Sequence, residues 1–437
     1  MSENILFAGY ARREITPPLP VPIAGFGMNH DADSVLDAPY LSCAAISDGR
    51  ETLLFFTQDI LYCYQPVSLR FRAKIAEETG IPLQNILLAS SHTHAGIRSS
   101  AQEKRVEIWR NKYYAAGVSA AKEALADLAP CRLVIGKKRL PGKNEVRRGY
   151  LADGTFFSAC SVIRPTKENP KVKPESESDD EVQAARFVRE GKKNIVFVNW
   201  QGHPSITGGV QRHVLSSDYI AGIRARIEEA GEIASFFCGA SGNVCVKRGD
   251  KDHLGYGAEI AEGALAALED GKEVPGVPVL SLSRTVKLKV RRDSEEAYEK
   301  ARELMLTRPQ LSPEEFKKKV LSFGFASPEA AYAVLGRRKL PDEMEMELFC
   351  YRIGELSLVT APYEMFDTNQ IELKEKTPFP MTLVATCAQD NHSYIASSLS
   401  FPNKHFGVDM CRYEKGSGEF LIEQDLEMLN QISGRTK

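Results

Sequence analysis

The chain has 437 residues, 43% hydrophobic and 26% charged, with a formal net charge of −2 at pH 7. This is enough for one large globular domain or two ordinary ones, and it excludes the electrostatic footprint of a nucleic-acid or anionic-membrane binder. No apolar stretch approaches the ~20 residues that cross a bilayer, and Met1-Ser-Glu-Asn-Ile-Leu-Phe7 lacks the basic-then-apolar pattern of an export signal.

In chain order, residues 4–16 predict a strand closing at Pro17-Pro18, and residues 20–27 a Pro/Gly-rich loop at the surface or lining a site. Apolar runs at 41–46 and 52–56 flank Asp48-Gly49, which predicts a hairpin. Residues 67–79 make an amphipathic helix stopped by Gly80. A buried strand at 86–89 follows, then an Ala-rich helix over 113–128 ended by Pro130, then a strand at 131–135. Residues 167–182 are charged and nearly free of apolar side chains, so they read as a solvated, mobile excursion rather than a domain linker. Next come a strand at 194–200, a helix at 217–230, a short strand at 234–238, a small-residue helix at 257–268 and a long alternating strand at 279–290. Residues 294–340 change character: Ser312-Pro-Glu-Glu315 and Ser327-Pro-Glu-Ala330 punctuate a charged region of three short helices, a peripheral insert. Strands return at 345–353, 356–361 and 382–387, and residues 417–432 close the chain as a helix. Without a repeat or a clean linker, this reads as a single α/β domain over 1–437, with mixed β-sheets flanked by helices. Nine scattered cysteines, none in a Cys-x-x-Cys pair, read as reduced thiols of a cytoplasmic, disulfide-free protein.

The chemistry collects where apolar strands run into polar turns. Asn85-Ile-Leu-Leu-Ala-Ser-Ser-His-Thr-His-Ala-Gly96 delivers His92 and His94, which in an extended chain point to one side. Imidazole is the commonest metal ligand and general base. A bare His-x-His is not specific, and two hydrogen-bonded loop histidines would look the same. The strand 194–200 leads to His203-Pro204, the strand 356–361 to Pro362-Tyr-Glu364, and the strand 234–238 to a Gly-rich turn with Asn243 and Cys245. Two histidines and a carboxylate with one open position make a usual catalytic zinc shell. Each piece also has a plain structural reading: His203 as a capped loop residue, Glu364 in the first turn of a helix, Cys245 as a core thiol. His30, His213, His253 and His405 lie in polar contexts and read as solvated.

Taken in order, Ser91-His-Thr-His-Ala-Gly96, Gly202-His-Pro-Ser205, Leu215-Ser-Ser-Asp-Tyr219, Gly239-Ala-Ser-Gly-Asn-Val244, Pro362-Tyr-Glu364 and the Asn391/Tyr394 region resemble the catalytic domain of the neutral/alkaline non-lysosomal ceramidases. The resemblance spans roughly residues 7–414. It implies zinc held by His92, His203, Glu364 and Tyr394, with His94 beside the metal or serving as acid/base. It also implies that Arg147 or Arg148 polarises or anchors substrate; a solvated pair on a loop is the structural alternative. The departures are specific. Asn243-Val-Cys-Val-Lys247 stands where ceramidases carry a Ser-Pro-Asn sequence, which puts Cys245 in place of a substrate-touching serine. Pro-Tyr-Glu stands for Pro-Gly-Glu, and neither the export signal nor the C-terminal sandwich domain of the secreted enzymes is found.

The metal shell is thus expected to be kept and the lipid-handling apparatus lost. The expectation is a zinc-dependent hydrolase of an amide, or of an ester or lactone, in a small polar metabolite, with ceramide not the substrate. Asn243 and Cys245 would shape the leaving-group pocket. The alternatives are a metal-dependent lyase or isomerase acting on a sugar-like substrate through the same shell, a metal-containing binding protein without turnover, and a cysteine hydrolase using Cys245. The partner is a small molecule, with no nucleic acid and no membrane span, and the oligomeric state is left open.

Overall fold

The computed structural model describes residues 5–25, 30–159 and 161–434. Phe26 and Gly27 of the Pro/Gly-rich loop, Cys160 and the first four residues lie outside them. Strands that are apolar on both faces must be covered on both faces, and the layering follows from that requirement. A nine-stranded sheet runs in the order Ile233–Cys238, Ile195–Trp200, Glu181–Arg189, Ala129–Arg139, Leu6–Glu14, Tyr40–Ser47, Thr52–Gln58 and Ile86–Ser90, with Lys272–Val274 also paired to Ala129–Arg139. Along Tyr40–Ser47 the side chains alternate. Cys43 and Ala45 face a core shared with Phe71 and Trp109 of the helices Gln65–Thr79 and Lys104–Ala126. Ala44 and Ile46 face the other way, onto Phe349, Tyr351 and Leu383 of a second, four-stranded sheet. That sheet runs Val279–Lys289, Glu343–Ile353, Leu356–Ala361, Met381–Thr386, and the helices Asp367–Lys376 and Ser417–Ser433 close its far side. The result is helix, sheet, sheet, helix.

Within these two sheets three strand pairs are parallel: Thr52–Gln58 with Ile86–Ser90, Ile195–Trp200 with Ile233–Cys238, and Leu356–Ala361 with Met381–Thr386. The large sheet curls until its two end strands touch, with Met381–Thr386 against both. The carboxyl ends of these parallel strands are the usual place for a site in an α/β sheet, and here they carry the polar turns singled out above.

Local signals fixed most elements where expected. The hairpin turns at Gly49, the first helix stops at Gly80 in the left-handed region (φ 74°), and Ser312 and Glu315 form a full capping box. The small-residue helix, His253–Glu269, packs as closely as predicted: a Cβ on Gly257 would sit 2.0 Å from the Tyr219 carbonyl oxygen. The insert forms three helices around its own core of Ala301, Leu304, Val320, Ala331 and Val334.

Three expectations need correction. The Ala-rich helix starts at Lys104, because Val106 and Trp109 bury on the same stripe as Tyr113 although charged residues surround them. Pro130 lies inside a strand, Ala129–Arg139, whose charged Lys137-Lys138-Arg139 end pairs with Glu181–Gln183. Residues 167–182 are docked onto the body at several points, although much of 167–174 stays exposed. Lys171–Pro174 pairs with Arg148–Leu151, Glu175 forms a buried ion pair with Arg148, and the Asp179 carboxylate accepts from Gln370 Nε2 and Lys374 Nζ. Composition registers charge but not the partner that neutralises it.

Asp425, on the closing helix, is fully buried, and neither carboxyl oxygen has a hydrogen-bond partner. Burial pushes its pKa well above the ordinary carboxyl range. A carboxyl whose folded pKa exceeds its unfolded value of ~3.9 costs nothing below that pH and erodes stability as pH rises towards the folded value. Asp425→Asn is therefore expected to match the parent at acidic pH and to exceed it by roughly 1–3 kcal/mol near pH 7, as read by urea unfolding at both pH values. Equal stability at neutral pH would refute this.

Candidate metal centre

Each candidate ligand sits just past a strand end. After Ser90 the chain leaves the extended conformation and His92 takes a left-handed one (φ 67°), which a non-glycine residue adopts only when its surroundings hold it there. The two histidines of the His-x-His sequence therefore meet through a tight turn and not through strand alternation, with ring centroids 5.2 Å apart. His203 follows Trp200, and its ring stands 4.8 Å from that of His92 and 4.7 Å from that of His94. Ligand atoms of His92, His94 and His203 lie within 4.8 Å of one another, so this group could hold a metal ion.

The outer ring nitrogens are committed. His92 Nδ1 lies 2.9 Å from the Leu61 carbonyl oxygen and His203 Nδ1 lies 2.9 Å from the Ser241 carbonyl oxygen. A carbonyl accepts only, so each Nδ1 carries the proton and each Nε2 presents a lone pair to the centre. His94 hydrogen-bonds the Gly25 backbone and brings its Nε2 to 2.8 Å from His203 Nε2. Gly25 is required there: its φ is 130° and a Cβ would come 2.8 Å from the His94 ring. Burial, then His92 and Arg147, drives the His94 pKa well below its ordinary value; burial, then Arg147 and the other two imidazoles, does the same to His203. Both rings are neutral at physiological pH.

Glu364 enters from the second sheet. Its strand Glu364–Met365 pairs in parallel with Tyr394–Ile395, which places Glu364 directly beside Tyr394. Glu364 Oε2 stands 3.4 Å from His92 Nε2. Both atoms are buried with no hydrogen-bond partner, an arrangement that costs about 1–3 kcal/mol for each group if nothing fills it. Two inward imidazole lone pairs and a desolvated carboxylate oxygen are the donor set of a divalent transition-metal site. The residues present fit such an ion.

Arg147 borders this cluster. Its Nη2 donates to the Gly242 carbonyl oxygen at 2.6 Å and to the Tyr394 hydroxyl at 3.2 Å, and its guanidinium lies 5.6 Å from the Phe406 ring centroid. Cys245 is bridged to His203 across a short parallel contact. Burial raises the Cys245 thiol pKa although Arg147 lies beside it.

No family model matches the chain, and no curated protein matches it. Among solved structures it is similar to the neutral ceramidase from Pseudomonas aeruginosa, with a TM-score of 0.73 and 16% identity over 99% of this chain and 75% of that one. It is also similar to a ceramidase complexed with C2, with a TM-score of 0.72 and 14% identity over 99% of this chain and 76% of that one. The fold is that of the neutral ceramidases.

Within this ceramidase fold the candidate residues separate cleanly. His92, His94, His203, Glu364, Tyr394, Arg147 and Cys245 come together. Arg148 and Asn243 do not reach the centre as functional groups. Arg148 is turned away: it forms a two-pronged, buried pair with Glu175 and donates to the carbonyl oxygens of Asn403 and Phe406. Asn243 clamps Asp367, donating to its carboxylate at 2.6 Å and accepting from its backbone N–H at 2.8 Å. It thereby fixes the turn whose Gly242 carbonyl engages Arg147. Adjacent residues in the short strand region 144–151 face opposite ways, which is why spacing left Arg147 and Arg148 undivided. Leu61 and Ser241, whose carbonyls set the two histidine tautomers, carry no sequence signal because any residue supplies a carbonyl. Cys387, with Sγ 3.4 Å from His92 Nδ1, was likewise not anticipated.

Arg148→Ala is expected to cost stability rather than chemistry. Removing one partner of a buried pair leaves Glu175 unpaired, a loss of about 3–5 kcal/mol. Arg148→Met combined with Glu175→Leu should recover most of it in chemical denaturation. A double variant no more stable than the single one would contradict this account.

Proposed function

We propose that this chain is a metal-dependent hydrolase of an amide bond, or of an ester or lactone, in a small polar metabolite, and that ceramide is not its substrate. One observation carries the reading: the imidazoles of His92, His94 and His203 gather at one point, and there His92 Nε2 faces Glu364 Oε2, both buried without a hydrogen-bond partner. His92, His203 and Glu364 would hold the ion, with Tyr394, the strand neighbour of Glu364, as the fourth protein group. Zinc, when bound, would lower the pKa of water towards ~7 and polarise a carbonyl.

The chain's own groups supply the rest. His94, neutral and aimed at the centre, takes a proton from the attacking water at Nε2 and returns it to the leaving nitrogen. Arg147 and the Tyr394 hydroxyl, already hydrogen-bonded to each other, offer donors where negative charge develops on the carbonyl oxygen. The Asn243 turn and Cys245 shape the leaving-group side. A thiol next to a guanidinium is a polar wall, which supports a compact polar substrate. The eight cysteines among the described residues are free, and no helix there is long and apolar enough to cross a membrane. Free thiols suit a reducing compartment, so we place the protein in the cytoplasm.

The test is elemental analysis of the purified protein, followed by a mass-resolved screen of N-acyl and lactone metabolites. Bound zinc and products that gain one water are expected. An isobaric or eliminated product would convert the assignment to an isomerase or lyase, and a metal-free protein that turns substrate over would end it.

A further inference from the structure

An arginine-lined cavity lies away from the metal centre, where both ends of the helical insert meet the body. It has a volume of about 260 Å³ and is lined by Arg291, Arg292, Asp293, Tyr298, Val334, Arg337 and Arg338. Four guanidiniums thus line a space with one carboxylate, and that carboxylate is already engaged: Arg337 holds both Asp293 oxygens, at 2.7 and 2.9 Å.

The arginines differ in what they do. Arg337 is buried, and it also donates to the carbonyl oxygens of Asp409 and Cys411. Arg291 donates to the carbonyl oxygens of Val408 and Asp409, while its Nε is buried without a partner. Burial and the neighbouring Arg337 together lower the Arg291 pKa, as mutual repulsion between cations requires. Arg292 and Arg338 stand at the mouth, with side chains 43% and 49% exposed. Their acidic partners, Asp342 and Glu295, are 94% and 67% exposed. Ion pairs that open to water are worth ~0–1 kcal/mol and exchange readily. The Arg338 guanidinium carbon lies 4.0 Å from the centroid of the Tyr298 ring, which restrains it. Asp409, behind the cavity, has its carboxyl pKa raised by burial, which weakens it as a counter-charge.

Guanidinium forks match tetrahedral oxyanions two bonds at a time. We propose that this cavity binds a small phosphate-bearing anion, free phosphate or the phosphate monoester of a metabolite. The anion displaces Glu295 and Asp342 from Arg338 and Arg292 and completes the positive lining. The volume has room for a phosphate with a short carbon skeleton.

The site has a route to the metal centre. The carbonyls of Val408, Asp409 and Cys411 that Arg291 and Arg337 hold belong to the segment carrying Phe406, whose ring meets Tyr394 at 5.3 Å and Arg147 at 5.6 Å. Occupancy therefore firms the segment that backs Tyr394. This consequence for turnover rests on the hydrolase reading above. Binding does not, so the two ideas fail separately.

The test is thermal unfolding of the full chain at fixed ionic strength, titrated with inorganic phosphate, with glycerol 3-phosphate, and with sodium chloride plus glycerol as the control. A saturable rise in Tm with phosphate or its monoester, absent in the control and abolished in Arg292→Gln/Arg338→Gln, is expected. Phosphate alone acting identifies the free ion, and the monoester acting more strongly identifies a phosphorylated metabolite. Because both substituted side chains are half exposed, the variant should fold; circular dichroism checks this, and the single Arg338→Gln variant, with the buried pair intact, should show a weakened midpoint. No rise in the parent, or an equal rise in the double variant as phosphate on the metal would give, overturns the proposal.

Discussion

His203→Ala is expected to lose both bound metal and turnover while remaining folded. The His203 Nδ1 bond to Ser241 contributes only about 1 kcal/mol net, and the neighbouring core of Trp200, Tyr219 and Tyr256 does not depend on the ring. Nε2 has a different weight. It stands across from His94 Nε2 at 2.8 Å and shares the centre with His92 and Glu364. Without it the group of three imidazoles loses a member, and His92, His94 and Glu364 are left around a gap with weakened hold on an ion. Turnover should fall by roughly 10³-fold or more, since activation of water at neutral pH goes with the metal. Metal analysis, kinetics and a thermal melt on the same preparation check the three parts. A folded variant that retains metal and rate would remove His203 from the centre and the hydrolase assignment with it. His253→Ala is the control, because that histidine pairs with Asp37 elsewhere.

Arg147→Ala should behave in the opposite sense on metal. The guanidinium is hydrogen-bonded to the Gly242 carbonyl and the Tyr394 hydroxyl and is itself a cation, not a ligand, so metal content should be kept. Its loss takes away a donor aimed at the carbonyl oxygen, and kcat/KM should drop about 10²–10³-fold. Arg147→Lys should recover little. A lysine ammonium lacks the planar, delocalised guanidinium that carries Nη2 to both acceptors and lies 5.6 Å from the Phe406 ring centroid. Steady-state kinetics beside metal analysis separates this from the His203 result. Loss of metal in Arg147→Ala, or an unchanged rate, would rule out the role given to it.

Wherever the cause is local, the sequence was sufficient by itself. Apolar runs ending in His92, His203 and Glu364 mark strand ends, because burial on both faces stops where polar side chains begin. Asp48-Gly49, Gly80 and the Ser312/Glu315 pair mark turns and helix ends, because each meets a backbone requirement within four residues. The order of the histidine and glycine turns carried the ceramidase resemblance, and the fold agrees with it. Only the tertiary structure decided the rest. It chose Arg147 over Arg148, since the pleat sends one towards Tyr394 and the other into Glu175. It docked the charged residues 167–182, since Lys374, Gln370 and Arg148 come from more than twenty residues away in the chain to meet them. It set which histidine nitrogens face inward, through the carbonyls of Leu61 and Ser241. A carbonyl or a counter-charge supplied across space leaves no pattern in the chain, whereas a strand end or a cap is written in its immediate neighbours.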